Sequence, residues 1–78
     1  MRDVSDFAIE TLSAYARDKG EPVTAATRLD ALGMDSLDTL EAVMKIEDRF
    51  GVEIDPGEFS ACESVSQIIA VIEQAMAA

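Results

Sequence analysis

The sequence predicts an all-α domain, a small bundle of three main helices plus one short helix. Three observations carry that prediction. Apolar residues recur at three- and four-residue spacing in three separate stretches. No stretch alternates apolar and polar residues as a half-buried strand would. The 78 residues, 49% of them hydrophobic, suffice for one modest core, so residues 1–78 read as a single domain.

The first helix is expected over about Val4 to Asp18, with Val4, Phe7, Ala8, Leu12, Tyr15 and Ala16 forming one apolar stripe. Asp3 and Asp6 suit its positive N-terminal end and Arg17 and Lys19 its negative C-terminal end. Gly20 reads as the C-cap, and Pro22 prevents continuation. Glu21 to Asp35 lacks a sustained period and reads as a long loop pinned to the core by Val23, Leu29, Leu32 and Met34. An ordered loop of that length in a small domain points to function.

The second helix is expected from Ser36 to Phe50. Leu37, Leu40, Val43, Met44, Ile46 and Phe50 fill a broad apolar arc, with Asp38, Glu41, Lys45, Asp48 and Arg49 opposite. Gly51 suits a left-handed cap, after which Val52 and Ile54 fold back on the last turn. Asp55-Pro56-Gly57-Glu58 combines a capping acid with proline at the first helical position, opening a short helix that ends near Ala61. Ser64-x-x-Gln67 reads as a capping box for the last helix, with Val65, Ile68, Ile69, Ile72 and Met76 on one face.

Composition narrows the function. Sixteen acids against six bases give a formal net charge of −10, which repels phosphate backbones and disfavours nucleic-acid binding. The same charge steers basic patches of partner proteins toward the chain. There is no His, and the lone Cys62 excludes an internal disulfide and any cysteine-pair metal site. The usual general base is therefore missing, and a non-catalytic role is expected. A calcium loop starting at Asp30 fails on spacing, since Leu32 and Met34 fall where oxygen donors are required. No apolar run is long enough for a membrane span. The first residues, with Asp3 and Asp6, do not resemble a secretory signal, so the cytoplasm is the default expectation, and the chain is expected to be a monomer.

The informative stretch is Leu32-Gly33-Met34-Asp35-Ser36-Leu37-Asp38-Thr39-Leu40-Glu41. Gly33 permits a tight bend, Asp35 caps the helix, and Ser36 projects from its first turn. The N–H groups and positive dipole end of a helix start favour a phosphate ester there. Read alone, a serine after a capping aspartate is ordinary capping. The surroundings say more: Leu32-Gly33-Met34-Asp35-Ser36-Leu37, the following Asp38-Thr39-Leu40-Glu41 and Phe50-Gly51-Val52-Glu53-Ile54 together resemble the acyl carrier protein family over nearly the whole chain.

That resemblance implies that Ser36, flanked by Asp35 and Leu37, receives 4′-phosphopantetheine from coenzyme A through a phosphopantetheinyl transferase. The arm's thiol would hold an acyl group as a thioester for acyl-loading and acyl-processing enzymes with basic docking patches, the chemistry belonging to cofactor and partners. Ten of the sixteen acids lie between Asp30 and Glu63. The resemblance makes the second helix the docking face, with Asp35, Asp38, Glu41, Met44, Glu47 and Asp48 as its residues. Ile46, Ile54, Phe59, Cys62 and Ile68 are candidates for an acyl pocket, although core packing accounts for them equally well.

Two other readings stay open. A free-standing aminoacyl or peptidyl carrier shares the fold, but that class usually has Gly-Gly-x-Ser-Leu where this chain has Gly33-Met34-Asp35-Ser36-Leu37. An acidic helical adaptor without cofactor shares the docking face but needs no exposed Ser36. Within the acyl class, Lys45 and Arg49 interrupt a helix that fatty-acid carriers keep almost wholly acidic. With the bulky Phe59 and Ile68, they suggest a specialised pathway and a short or polar payload.

Overall fold

The computed structural model describes residues 2–17 and 22–77. In chain order it contains α1 (Arg2–Tyr15), a single 3₁₀ turn (Leu29–Leu32), α2 (Ser36–Phe50), the short α3 (Pro56–Ser60) and α4 (Val65–Ala77). The three-plus-one helical architecture is the expected one. α1 packs against α2 and α4, and α3 against α4.

Each helix forms where local chemistry starts and stops it. α2 opens on a complete capping box, with the Asp35 carboxylate accepting from the Asp38 N–H and Asp38 reaching back to the Asp35 N–H. It closes at Gly51, whose φ of 64° is left-handed and whose N–H donates to Glu47 O. α3 opens as expected, with the Asp55 side chain accepting from the Gly57 N–H and Pro56 at the first position.

Two expectations about helix ends are corrected. α1 stops at Tyr15 rather than Asp18, because the Arg17 N–H leaves the helical ladder and donates to Leu32 O at 2.9 Å. Asp18, Lys19 and the proposed Gly20 cap lie outside the described residues, as does Glu21. The long loop is ordered, as expected. It carries the 3₁₀ turn and pairs with the chain before α4 through an antiparallel bridge from Arg28 to Ser64. The flanking bonds are Leu29 N–H to Glu63 O and Val65 N–H to Thr27 O. That pairing changes the α4 cap: Gln67 accepts from the Glu63 N–H rather than that of Ser64, and the Ser64 hydroxyl bonds Ser66.

The core lies where α1, α2 and α4 meet. Val4, Ala8 and Leu12 of α1, Ala42 and Ile46 of α2, and Val65, Ile68 and Ile72 of α4 are buried, with Leu32, Ile54 and Phe59 closing the end nearest the loops. Truncating one of the buried isoleucines to alanine would cost about 2–5 kcal/mol. Val23, Leu29 and Met34 pack against this core and Leu32 is in it, so the loop is pinned by the expected residues. The broad apolar arc of α2 is divided. Ala42 and Ile46 face the core, while Leu37, Leu40 and Met44 remain 61%, 56% and 56% exposed.

Candidate functional site

Ser36 is the first residue of α2 and is exposed, directly after the capping Asp35. Gly33, at φ 70°, ends the 3₁₀ turn in left-handed backbone and aims the chain into the helix start. The capping bond from the Asp38 N–H to Asp35 Oδ1 is 2.8 Å long, and one further bond holds the first turn, the Thr39 hydroxyl donating to Asp35 O at 3.0 Å.

Beside Ser36 opens a groove of about 580 Å³, within the ordinary range for small-molecule sites. Asp35, Ser36, Thr39 and Glu47 are among its polar lining residues. Met34, Leu40, Val43 and Met44 form one wall, and Ile54, Phe59, Cys62 and Ile68 line the far side. Of the expected pocket residues, these last four are brought together. Ile46 does not join them: it is buried with Ala42 on the core side of α2 and does not line the groove. The Cys62 thiol donates to Glu58 O at 3.4 Å, and burial, then the nearby Glu58 charge, raise its pKa. It is thus a weaker nucleophile at neutral pH than an open thiol.

The expected docking residues divide into two groups. Glu41 and Asp48 are exposed and share the outer face of α2 with Leu37 and Met44. Asp38 and Glu47 are turned inward. Glu47 accepts the Ile54 N–H at 2.8 Å and so ties the α2–α3 connection across the groove. Asp38 accepts from Arg17 Nε at 2.7 Å, and its carboxylate is only 15% exposed. That hydrogen bond is the main reason its pKa lies below the ordinary carboxylate value, with the Asp35 contacts and the Arg17 charge acting the same way against desolvation. Arg17 also reaches Asp35 Oδ2 at 3.3 Å.

Lys45 and Arg49 occupy a third face, against α1. The Lys45 ammonium lies 5.5 Å from the Tyr15 ring centre and the Arg49 guanidinium 5.3 Å from that of Phe7. Phe7 and Phe50 meet edge to face at 5.6 Å. Cation–π contact and packing of the long side chains explain these cations without reference to a partner.

Sequence reasoning missed Arg17 as part of the site, having placed it at the end of a longer α1. It also missed the exposure of Leu37 and Leu40. One signal was available: seven apolar positions in the 15 residues of α2, Ala42 among them, make an arc wider than a single core contact needs.

Among the described residues, no group of three or more His, Cys, Asp or Glu could hold a metal ion, and no helix is long and apolar enough to cross a membrane. A family model described as the phosphopantetheine attachment site matches residues 6–72. The chain is 43% identical over 56 residues to acyl carrier protein 2, chloroplastic, of Arabidopsis thaliana, covering 72% of this chain and 41% of that protein. It is 30% identical over 73 residues to the mitochondrial acyl carrier protein of Dictyostelium discoideum, covering 94% and 61%. The chain thus spans about half the length of the curated relatives it matches. Among solved structures, an acyl carrier protein from Thermotoga maritima superposes with a TM-score of 0.73 at 26% identity, covering 97% of this chain and 88% of that one. The acetyl actinorhodin acyl carrier protein from Streptomyces coelicolor shares the fold, with a TM-score of 0.75 at 23% identity, covering 94% and 90%.

Proposed function

Since this chain belongs to the acyl carrier protein family, whose shared unit is the phosphopantetheine attachment domain, we propose that it carries acyl groups on an arm bonded to Ser36. The observation that carries the proposal is the exposed Ser36 at the capped start of α2, lining an apolar groove. These residues fit the group. An anionic phosphodiester suits a helix N-terminus, and the groove walls suit an apolar chain leading away from it. When attached, the arm supplies a terminal thiol that holds an acyl group as a thioester.

The chain's own residues do the rest. Asp35 and Thr39 hold the first turn so that Ser36 stays exposed. Ile54, Phe59, Cys62 and Ile68 offer an acyl chain shelter from water. Glu41 and Asp48, alternating along one face of α2 with Leu37 and Met44, offer partner enzymes an apolar patch interleaved with negative charge. Basic surfaces of the transferase and of acyl-processing enzymes would be steered there. Tethering then raises the effective concentration of the payload at each docked enzyme, so the chain itself need not catalyse.

The payload and pathway belong to this proposal as well. Phe59 and Ile68 on the far side of the groove favour a short or polar payload, and hence a specialised pathway. Lys45 and Arg49 no longer support that reading, since they lie against rings of α1 and Phe50. The cytoplasm remains only a default, given relatives named chloroplastic and mitochondrial.

The test is intact mass after incubation with a phosphopantetheinyl transferase and coenzyme A. One arm per chain is expected, and none on Ser36→Ala with helix content unchanged. Undiminished loading of Ser36→Ala would overturn the assignment, and no loading of the wild type would favour the adaptor reading.

A further inference from the structure

Arg17 stands just beyond α1, yet its side chain acts at the start of α2. Its backbone N–H is anchored on Leu32 O at 2.9 Å, so the side chain springs from a fixed point. The guanidinium bonds Asp38 Oδ2 through Nε at 2.7 Å and Asp35 Oδ2 through Nη2 at 3.3 Å. Those two acids are the two halves of the capping box on which Ser36 sits. An isolated surface ion pair contributes little. This contact differs in being shared between two acids and in shielding one of them to 15% exposure.

Charge gives the contact a second consequence. Ser36 adjoins Asp35 and lies two residues before Asp38, two carboxylates that repel any phosphate brought to the serine. The Arg17 guanidinium lies on both. We infer that Arg17 is a positioning residue for the attachment serine, holding the first turn of α2 from outside the helix and offsetting the two negative charges beside Ser36. The inference rests on the reading of Ser36 as the attachment site. In that reaction Ser36 Oγ bonds to phosphorus, the phosphoanhydride bond of coenzyme A breaks, adenosine 3′,5′-bisphosphate leaves, and the hydroxyl proton passes to the transferase. Arg17 touches none of these atoms. It acts through Asp35 and Asp38.

The experiment compares wild type, Arg17→Gln, Arg17→Lys and Asp38→Asn as substrates of a transferase with coenzyme A, separating kcat from KM well below the unfolding temperature. Arg17→Gln should lower kcat by about tenfold, the order expected when a reacting group loses its fixed orientation. Lysine should recover only part of this, since one ammonium lacks the planar fork that spans both acids. A change in net charge alone would act oppositely, because a more acidic chain meets a basic enzyme more readily and lowers KM. Asp38→Asn keeps a cap acceptor but loses the charge that Arg17 holds and offsets, so Arg17→Gln should cost less in that background than in the wild type. Amide hydrogen exchange at Asp38 in the unmodified protein should quicken in Arg17→Gln, a readout independent of labelling. Unchanged kcat and unchanged exchange in a folded Arg17→Gln, or strictly additive losses with Asp38→Asn, would overturn the inference. An unlabelled wild type would instead overturn the reading of Ser36, leaving the exchange data to judge the Arg17 contact.

Discussion

Glu47 separates a docking role from a structural one. On sequence it belongs with the acids that meet partners, but its carboxylate accepts the Ile54 N–H at 2.8 Å in a part-buried setting. Its backbone carbonyl meanwhile receives the N–H groups of Gly51 and Val52. One residue thus organises the turn that closes α2 and sets the far wall of the groove. A hydrogen bond to a charged group contributes about 1.5–3 kcal/mol. Partial exposure argues for the lower end of that range, about 1.5 kcal/mol for Glu47→Ala. In a domain of this size each kcal/mol moves the unfolding midpoint by about 4–8 °C, so a fall of about 6–12 °C is expected. Glu47→Gln keeps a carbonyl acceptor and should lose less than about 1 kcal/mol. Thermal unfolding by circular dichroism, followed by labelling kinetics below the midpoint, measures both effects. If Glu47 served only as a docking charge, both variants would unfold with the wild type and both would slow encounter with a basic transferase alike. That pattern would refute the reasoning.

Other outcomes follow from the same geometry. Glu41→Lys with Asp48→Lys should slow labelling by about tenfold at low salt and less at physiological ionic strength. Glu10→Lys, exposed on α1, should have little effect. Gly51→Ala meets no atom within 4 Å but must hold φ at +64°, so it should cost about 1–2 kcal/mol in denaturant unfolding, entirely from backbone strain. Asp38 is held below the usual carboxylate pKa, chiefly by Arg17. Its contribution to stability is therefore present above the unfolded value of about 3.9 and is lost as pH falls through the lower folded value. Acid unfolding followed by circular dichroism should show its midpoint moving to higher pH in Arg17→Gln. An unchanged midpoint would mean that the pair does not stabilise the fold.

The sequence alone determined the elements whose ends are written locally. α2 runs from Ser36 to Phe50 as read, because Asp35 and Gly51 satisfy the free backbone groups at its two ends within a few residues. α3 was legible for the same reason in Asp55-Pro56, and the exposure of Ser36 followed from its place beside the cap. Only the tertiary structure decided where α1 stops, since the Leu32 carbonyl that takes the Arg17 N–H lies fifteen residues away. It also decided which acids face partners. A helical wheel gives the angles between side chains, not which arc the neighbouring helices cover. α1 packs on α2 and the arc of Ala42 and Ile46 is buried in the core, which leaves Leu37, Leu40 and Met44 exposed. Arg17, twenty-one residues from Asp38, turns that acid inward, and the fold-back of the chain after Gly51 brings the Ile54 N–H onto Glu47. Whether a charge meets solvent or a neighbour is set by tertiary contacts, which a helical wheel does not record.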